Sequence, residues 1–184
     1  MQRGLLPVYP GGVGPLPQLR GGRVTLQGDN PVQAIAYCSR AASGLTLEDV
    51  ERLVAAAATF NIAAGITSVL LTDGYRFLQY LEGPEQGIKQ AYRRIINAHS
   101  HLDMVELGRS RGHQRRIPHW PMRWLPVEPE DLRIAIVSDW RGLAHRSEVD
   151  VFQVPSGIDR LIDLVHPHAG FQMPGGRYTG EAPP

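Results

Sequence analysis

The stretch Gly65-Ile66-Thr67-Ser68-Val69-Leu70-Leu71-Thr72-Asp73-Gly74-Tyr75-Arg76-Phe77-Leu78-Gln79-Tyr80-Leu81-Glu82 decides the fold. Two apolar runs rich in β-branched and aromatic residues, Gly65–Thr72 and Tyr75–Glu82, flank an Asp-Gly pair. That pair signals a β-hairpin, because both residue types accept positive φ.

The pattern extends outward on both sides. Upstream, Thr46-Leu47-Glu48-Asp49 opens a helix, with Thr46 as N-cap and Asp49 placed to close a capping box. Val50, Leu53, Val54 and Ala57 follow at helical spacing. Before that helix, Val32–Ser39 is an apolar run of strand length. Downstream, Gly83-Pro84 starts a second helix, since proline suits a first turn. Ile88, Ala91, Tyr92 and Ile95 form its inner stripe. Met104–Gly108 and Ile117–Leu125 read as two more strands. The order β-α-β-β-α-β-β predicts an α+β, ferredoxin-like sheet with two helices on one face. The other face also needs cover. Glu130–Val137 and Ile158–Val165 are the candidate helices, the latter with Ile158, Leu161, Ile162 and Val165 on one stripe.

The chain has 184 residues and a formal net charge of +1. That length suits one domain with extensions. The charge gives no bulk attraction to nucleic acid, and no block of like charge points to a membrane surface. No run reaches the ~18 apolar residues of a membrane span. Leu5-Leu6 is broken at once by Pro7, so no signal-peptide core forms. We therefore expect a cytoplasmic protein. The single cysteine, Cys38, excludes an internal disulfide and a cysteine-built metal site, and reads as a small core residue. Residues 1–30, with Pro10-Gly11-Gly12 and Gly21-Gly22, read as a flexible arm carrying at most a short strand at Arg23–Leu26. Residues 167–184 read as a similar tail. Gly11-Gly12-Val13-Gly14 lacks the lysine and the preceding strand of a phosphate loop. His99 with His101, and His166 with His168, lack carboxylate or cysteine company, so no metal site is expected.

Three polar residues interrupt what should be one apolar layer. Side chains alternate along a strand, so Tyr75, Phe77, Gln79 and Leu81 share a face, and Gln79 puts an amide among large apolar groups. A buried amide group left unpaired costs about 1–3 kcal/mol. Asn61 falls about three turns after Val50 and returns to the inner stripe of the first helix. Tyr37 shares a face with Ile35. Each has a plain structural reading: Gln79 bonded to backbone, Asn61 as a left-handed helix cap, Tyr37 as a core tyrosine with its hydroxyl at the rim. Together they point to a planar ligand with polar edges between the two helices.

Four segments carry a resemblance. They are Ala34-Ile35-Ala36-Tyr37-Cys38-Ser39-Arg40, Asn61-Ile62-Ala63-Ala64-Gly65-Ile66-Thr67, Phe77-Leu78-Gln79-Tyr80-Leu81-Glu82-Gly83-Pro84, and Arg115-Arg116-Ile117-Pro118-His119-Trp120-Pro121-Met122. In order and spacing the chain resembles the BLUF family, sensors of blue light using FAD. The resemblance implies a flavin-binding domain over 31–125, and the candidate covering helices make 126–166 a helical extension. It implies noncovalently bound FAD, with FMN as the alternative flavin. Tyr37 matches the electron and proton donor, Gln79 the glutamine between that phenol and the flavin, and Asn61 the asparagine bonded to the ring. Ile66 matches an apolar residue packed on the ring, and His101 a further cofactor contact. Trp120 and Met122 match the mobile pair on the last strand that relays the signal.

An amide suits such a switch, because its donor and acceptor ends can exchange without a change of charge. The protein supplies position and hydrogen bonds, and the cofactor the photochemistry. The chain departs from the family at Ser68, where glycine is common, at Ser100, where a basic residue is common, and at Pro121, which removes a strand N–H. Phe60 adds an aromatic beside Asn61. Of Arg115 and Arg116, expected on opposite faces of a strand, at most one meets a cofactor phosphate. No catalytic effector is recognisable, so we expect output through an unknown downstream protein partner or a homo-oligomer. The alternatives are a light-inert flavin-binding or interaction module, and a small ferredoxin-like enzyme. The enzyme reading lacks a general base and an anion-binding loop.

Overall fold

The computed structural model describes residues 32–143 and 154–169. The expected arm over 1–30, its strand at Arg23–Leu26 and the tail beyond 169 lie outside the described residues. The elements are β1 (Val32–Ala41), α1 (Leu47–Ala64), β2 (Thr67–Thr72), β3 (Arg76–Gly83), α2 (Glu85–Ile96), β4 (His101–His113), β5 (Arg123–Pro126), α3 (Pro129–Val137) and α4 (Gly157–Val165). Short 3-10 turns occupy Arg141–Leu143 and His166–His168.

The central hairpin forms as expected, with β2 antiparallel to β3 and Thr72 opposite Phe77. Its turn works differently. Only Gly74 takes positive φ, at 90°. Asp73 contributes its carboxylate instead: Oδ1 accepts from the N–H of Tyr75 at 2.9 Å and of Arg76 at 2.7 Å. The loop is longer than the Asp-Gly pair alone, so Tyr75 falls on the turn. It is 81% exposed and does not share the inner face of β3.

The sheet runs β4-β1-β3-β2-β5, with β2 and β5 parallel and the other pairs antiparallel. On one face lie α1 and α2. The α1 capping box is present, with Thr46 and Asp49 bonding each other's backbone N–H. α1 buries Val50 and Val54, while Leu53 stays 41% exposed. On the other face, α3 and α4 cover Ala34, Ala36, Val69, Leu71, Leu78 and Tyr80 with Leu132, Ala135, Ile158, Leu161 and Val165. Both candidate covering helices therefore form. In α4 the Ser156–Asp159 capping box sets the start. Cys38 is half-buried, so it is less enclosed than a core residue.

The last strand is the main correction. A strand over Ile117–Leu125 was expected, but only Arg123–Pro126 pairs. Pro118 and Pro121 have no N–H to give a ladder. The N–H groups of Arg116 and Ile117 go elsewhere, to the carboxylate of Glu82. Arg116 N reaches Oε1 at 3.0 Å and Oε2 at 2.9 Å, and Ile117 N reaches Oε1 at 3.1 Å. Glu82 is fully buried, and its carboxylate also accepts from Thr67 Oγ1 and Tyr80 Oη. Trp120 and Met122 consequently precede β5 and do not lie on a strand. Arg115 is not on a strand either. Its guanidinium is spent on Thr67 Oγ1 and the carbonyls of Glu82 and Gly65.

Candidate functional site

Between α1, α2 and the sheet lies a cavity of about 220 Å³. The sheet supplies Tyr37, Leu70, Phe77, Gln79 and Leu81, and α1 supplies Val50, Val54, Phe60 and Asn61. α2 adds Ala91, Arg94 and Ile95, and His101 and Met122 complete the wall. The lining is mostly apolar, with polar groups concentrated at Tyr37, Asn61, Gln79 and His101.

The sheet register explains the first pair. Tyr37 and Gln79 stand directly opposite on β1 and β3, and cross-strand neighbours on one face are in side-chain reach. The Tyr37 hydroxyl donates to Gln79 Oε1. The other end of the amide, Nε2, lies 3.6 Å from Met122 Sδ, a weak acceptor. Tyr37 is 3% exposed and Gln79 7%. Burial, and then the charge of the nearby Tyr92, push the Tyr37 phenol well above the ordinary tyrosine range. The group thus holds its proton at neutral pH.

Asn61 is not the helix cap. Gly65 takes that place, with φ 66°, and its N–H caps the Asn61 and Ile62 carbonyls. Asn61 sits inside α1, 3% exposed. Its Nδ2 donates to Ser68 Oγ at 3.0 Å and to the Pro121 carbonyl at 2.6 Å. His101 opens β4, with its ring centroid 5.9 Å from that of Tyr37. Its Nε2 lies 3.1 Å from the Ile95 carbonyl, while Nδ1 is buried without a partner among the described residues. Burial lowers its pKa below the usual histidine value, against the opposing effect of the Ile95 carbonyl.

Tyr37, Asn61, Gln79, His101 and Met122 are therefore brought to one cavity. Ile66 is 3% exposed in the same core layer, but packs toward Gly83 and Gly87 and is not on the cavity wall. Trp120 is also elsewhere. It packs against the core under α3 and α4, with the Arg123 guanidinium 5.3 Å from its ring centroid. The Trp120–Met122 pair thus straddles Pro121, one residue on each side of the layer. Ser68, a departure from the family pattern, belongs with the site through its bond to Asn61. Strand alternation, two residues before Leu70, was the signal for it. Arg94, 4.5 Å from the Phe60 ring centroid, was missed because an arginine near a helix end normally reads as solvated.

The cavity is thus a mostly apolar slot with a polar end, set on a ferredoxin-like sheet. The family model for sensors of blue-light using FAD matches residues 32–123, half of the chain, and the chain belongs to this BLUF family. BLUF domains are flavin-binding photosensory modules. The chain is 34% identical over 73 residues to the blue light- and temperature-regulated antirepressor BluF of Escherichia coli (strain K12), covering 40% of this chain and 18% of that protein. It is 30% identical over 88 residues to the photoactivated adenylate cyclase subunit beta of Euglena gracilis, covering 48% of this chain and 10% of that one. The chain thus spans less than a fifth of these curated relatives. Among solved structures, BlrB, a BLUF protein in its dark state, shares the fold with a TM-score of 0.57 at 23% identity, over 76% of this chain and 98% of that one. Klebsiella pneumoniae BlrP1, in a calcium and cy-diGMP complex, aligns with a TM-score of 0.53 at 26% identity, over 72% and 33%. No helix among the described residues is long and apolar enough to cross a membrane. Among the described residues no cluster of three or more histidine, cysteine or acidic side chains could hold a metal.

Proposed function

We propose that this protein is a blue-light photoreceptor that binds FAD noncovalently, with the isoalloxazine ring in the cavity between α1 and α2. FMN, which carries the same ring, is the alternative. The observation that carries the reading is the Tyr37–Gln79 hydrogen bond at the wall of an apolar cavity in a family of flavin sensors.

The chain's residues suit the ring. At about 220 Å³ the cavity is smaller than the ~300–1,000 Å³ of whole-ligand pockets, which favours the tricyclic ring over the entire dinucleotide. An adjoining depression shares Leu53, Ala56 and Ser100 with it and adds Arg52 and His99; the remainder of FAD would leave there. The buried Nδ1 of His101, unpartnered among the described residues, is a polar atom free to meet a ligand group. Phe77, Leu81 and Ile95 offer the ring apolar contacts, and Ile66 supports that layer from behind.

The flavin supplies blue-light absorption and, once excited, oxidising power. Tyr37 holds its proton on Oη, directed at Gln79 Oε1, and would be the residue that lends an electron and that proton to a bound, excited flavin and takes both back on return to darkness. Gln79 reads the event. Reversing its amide would exchange donor and acceptor toward both Tyr37 and Met122. Met122 and Trp120 then carry the change from the cavity toward the face covered by α3 and α4. The recipient is a downstream protein partner or a second copy of the chain, in the cytoplasm.

The test is the absorption spectrum of the purified, FAD-loaded chain in darkness and under blue light. A reversible red shift of the flavin band is expected. Bound FAD with no spectral change on illumination overturns the reading.

A further inference from the structure

Ser68 lies on β2, fully buried, on the same face as Leu70 of the cavity wall. It holds three consecutive residues. Its N–H donates to the Trp120 carbonyl at 2.9 Å. Its Oγ lies 3.0 Å from the Pro121 carbonyl and 2.9 Å from Met122 Sδ. Oγ also accepts from Asn61 Nδ2 at 3.0 Å.

A serine hydroxyl has one proton to give. Two acceptors compete for it, the Pro121 carbonyl and the Met122 sulfur. Asn61 has two Nδ2 protons, and both are committed, to Ser68 Oγ and to the Pro121 carbonyl. Only Oδ1 of Asn61 is left uncommitted. Pro121 has no N–H of its own, so the segment around it is held from the β2 side largely by what Ser68 donates. Met122 Sδ in turn is shared between Ser68 Oγ and Gln79 Nε2.

We propose that Ser68 is a positioning residue of the photosensory site: its hydroxyl turns between Met122 Sδ and the Pro121 carbonyl, tying Asn61 and the 120–122 segment to the state of Gln79. This rests on the photoreceptor reading above. When the Gln79 amide presents Nε2 to the sulfur, both donors hold Met122. When it presents Oε1, two electron-rich atoms face each other and Met122 is held by Ser68 alone. The Ser68 proton then decides whether the segment stays docked, and re-forming its bonds draws the segment back.

The experiment uses the full chain, loaded with FAD, and the near-isosteric Ser68→Ala variant. Two quantities are read. One is the ¹³C methyl resonance of Met122 in the dark, assigned by its loss in Met122→Leu. The other is the rate of dark recovery after blue light. Ser68→Ala is expected to shift the Met122 resonance and slow recovery at least threefold. An unmoved resonance, or a recovery slowed less than threefold, overturns the proposal. If the alanine variant does not fold, Ser68→Gly, which also lacks the hydroxyl, must give the same two changes or the proposal falls. If the unmodified chain shows no red shift in light, the photoreceptor reading fails, while the dark Met122 resonance still judges the Ser68 contacts.

Discussion

Tyr37 and Gln79 face each other across neighbouring antiparallel strands, with the phenol donating to the amide oxygen and the amide nitrogen turned to Met122. The pairing is set by backbone register. It therefore needs no flexible loop to bring phenol and amide together, and a one-residue slip of either strand would put the two side chains on opposite faces of the sheet.

This relationship gives the first prediction. Gln79→Leu keeps similar volume but removes both ends of the amide. The variant should retain FAD and lose the light-induced red shift. Tyr37→Phe removes the phenol proton and should likewise block the shift. Paired dark and light spectra decide both. A normal shift in either variant removes that residue from the proposed role.

Alkaline pH should unfold the protein through its buried phenols. Burial raises Tyr37, with Tyr92 adding to it, and burial raises Tyr80, with Glu82 adding to it. The unfolded chain loses these protons near the ordinary tyrosine value of about 10, while the folded chain still holds them. Their stabilisation is thus complete below pH 10 and lost as pH rises above it. Urea unfolding at stepped pH should show a fall in stability beginning near pH 10, shallower in Tyr37→Phe.

At the acid end, His101 works in the opposite sense. Its folded pKa is lowered, chiefly by burial. The unfolded chain takes up a proton near the ordinary value of about 6.5 before the folded chain does. The stability contributed by neutral His101 is present above pH 6.5 and lost as pH falls through the lowered folded value. His101→Gln should flatten the stability profile below pH 6.5, and an unchanged profile would contradict this.

Glu82→Gln tests what fixes the segment before β5. The carboxylate accepts from Arg116 N, Ile117 N, Thr67 Oγ1 and Tyr80 Oη. Hydrogen bonds to a charged group are worth about 1.5–3 kcal/mol, and an amide can accept at one end only. We expect destabilisation of about 1.5–3 kcal/mol with faster amide hydrogen exchange at Arg116 and Ile117. Exchange at wild-type rates would show that these N–H groups are protected by something else.

Gly157→Ala tests the cover on the far face. A Cβ at Gly157 would lie 2.2 Å from Trp140 Cε2, well within van der Waals contact of the indole. Overpacking of this kind costs about 1–3 kcal/mol. Lower stability and altered Trp140 fluorescence are expected, with the flavin spectrum unchanged because this contact lies across the sheet from the cavity.

Much of this was legible because it depends on period. Both helices beside the cavity and the α4 stripe follow from a spacing of 3.6 residues, and the hairpin from two strand-length runs around Asp73-Gly74. Tyr37, Asn61 and Gln79 stood out as polar residues at apolar positions. What was misplaced depends on side chains capturing backbone. Asp73 closing its own turn moved Tyr75 out of the layer, and Glu82 taking the Arg116 and Ile117 N–H groups removed most of the last strand. No periodicity encodes either. The identity of Gly65 as the α1 cap was readable, but Asn61 competed for that role because both residue types accept the left-handed conformation.

Pro121 has a further consequence. Met122 and Trp120 leave it toward different layers, one to the cavity and the other to the packing beneath α3 and α4. On the proposed photoreceptor reading, withdrawal of the sulfur would pull on the indole on the opposite side. A hydrogen bond reversed at Gln79 would then reach the outer helices as a change in occupied volume, and a docking surface there would need only to sense shape.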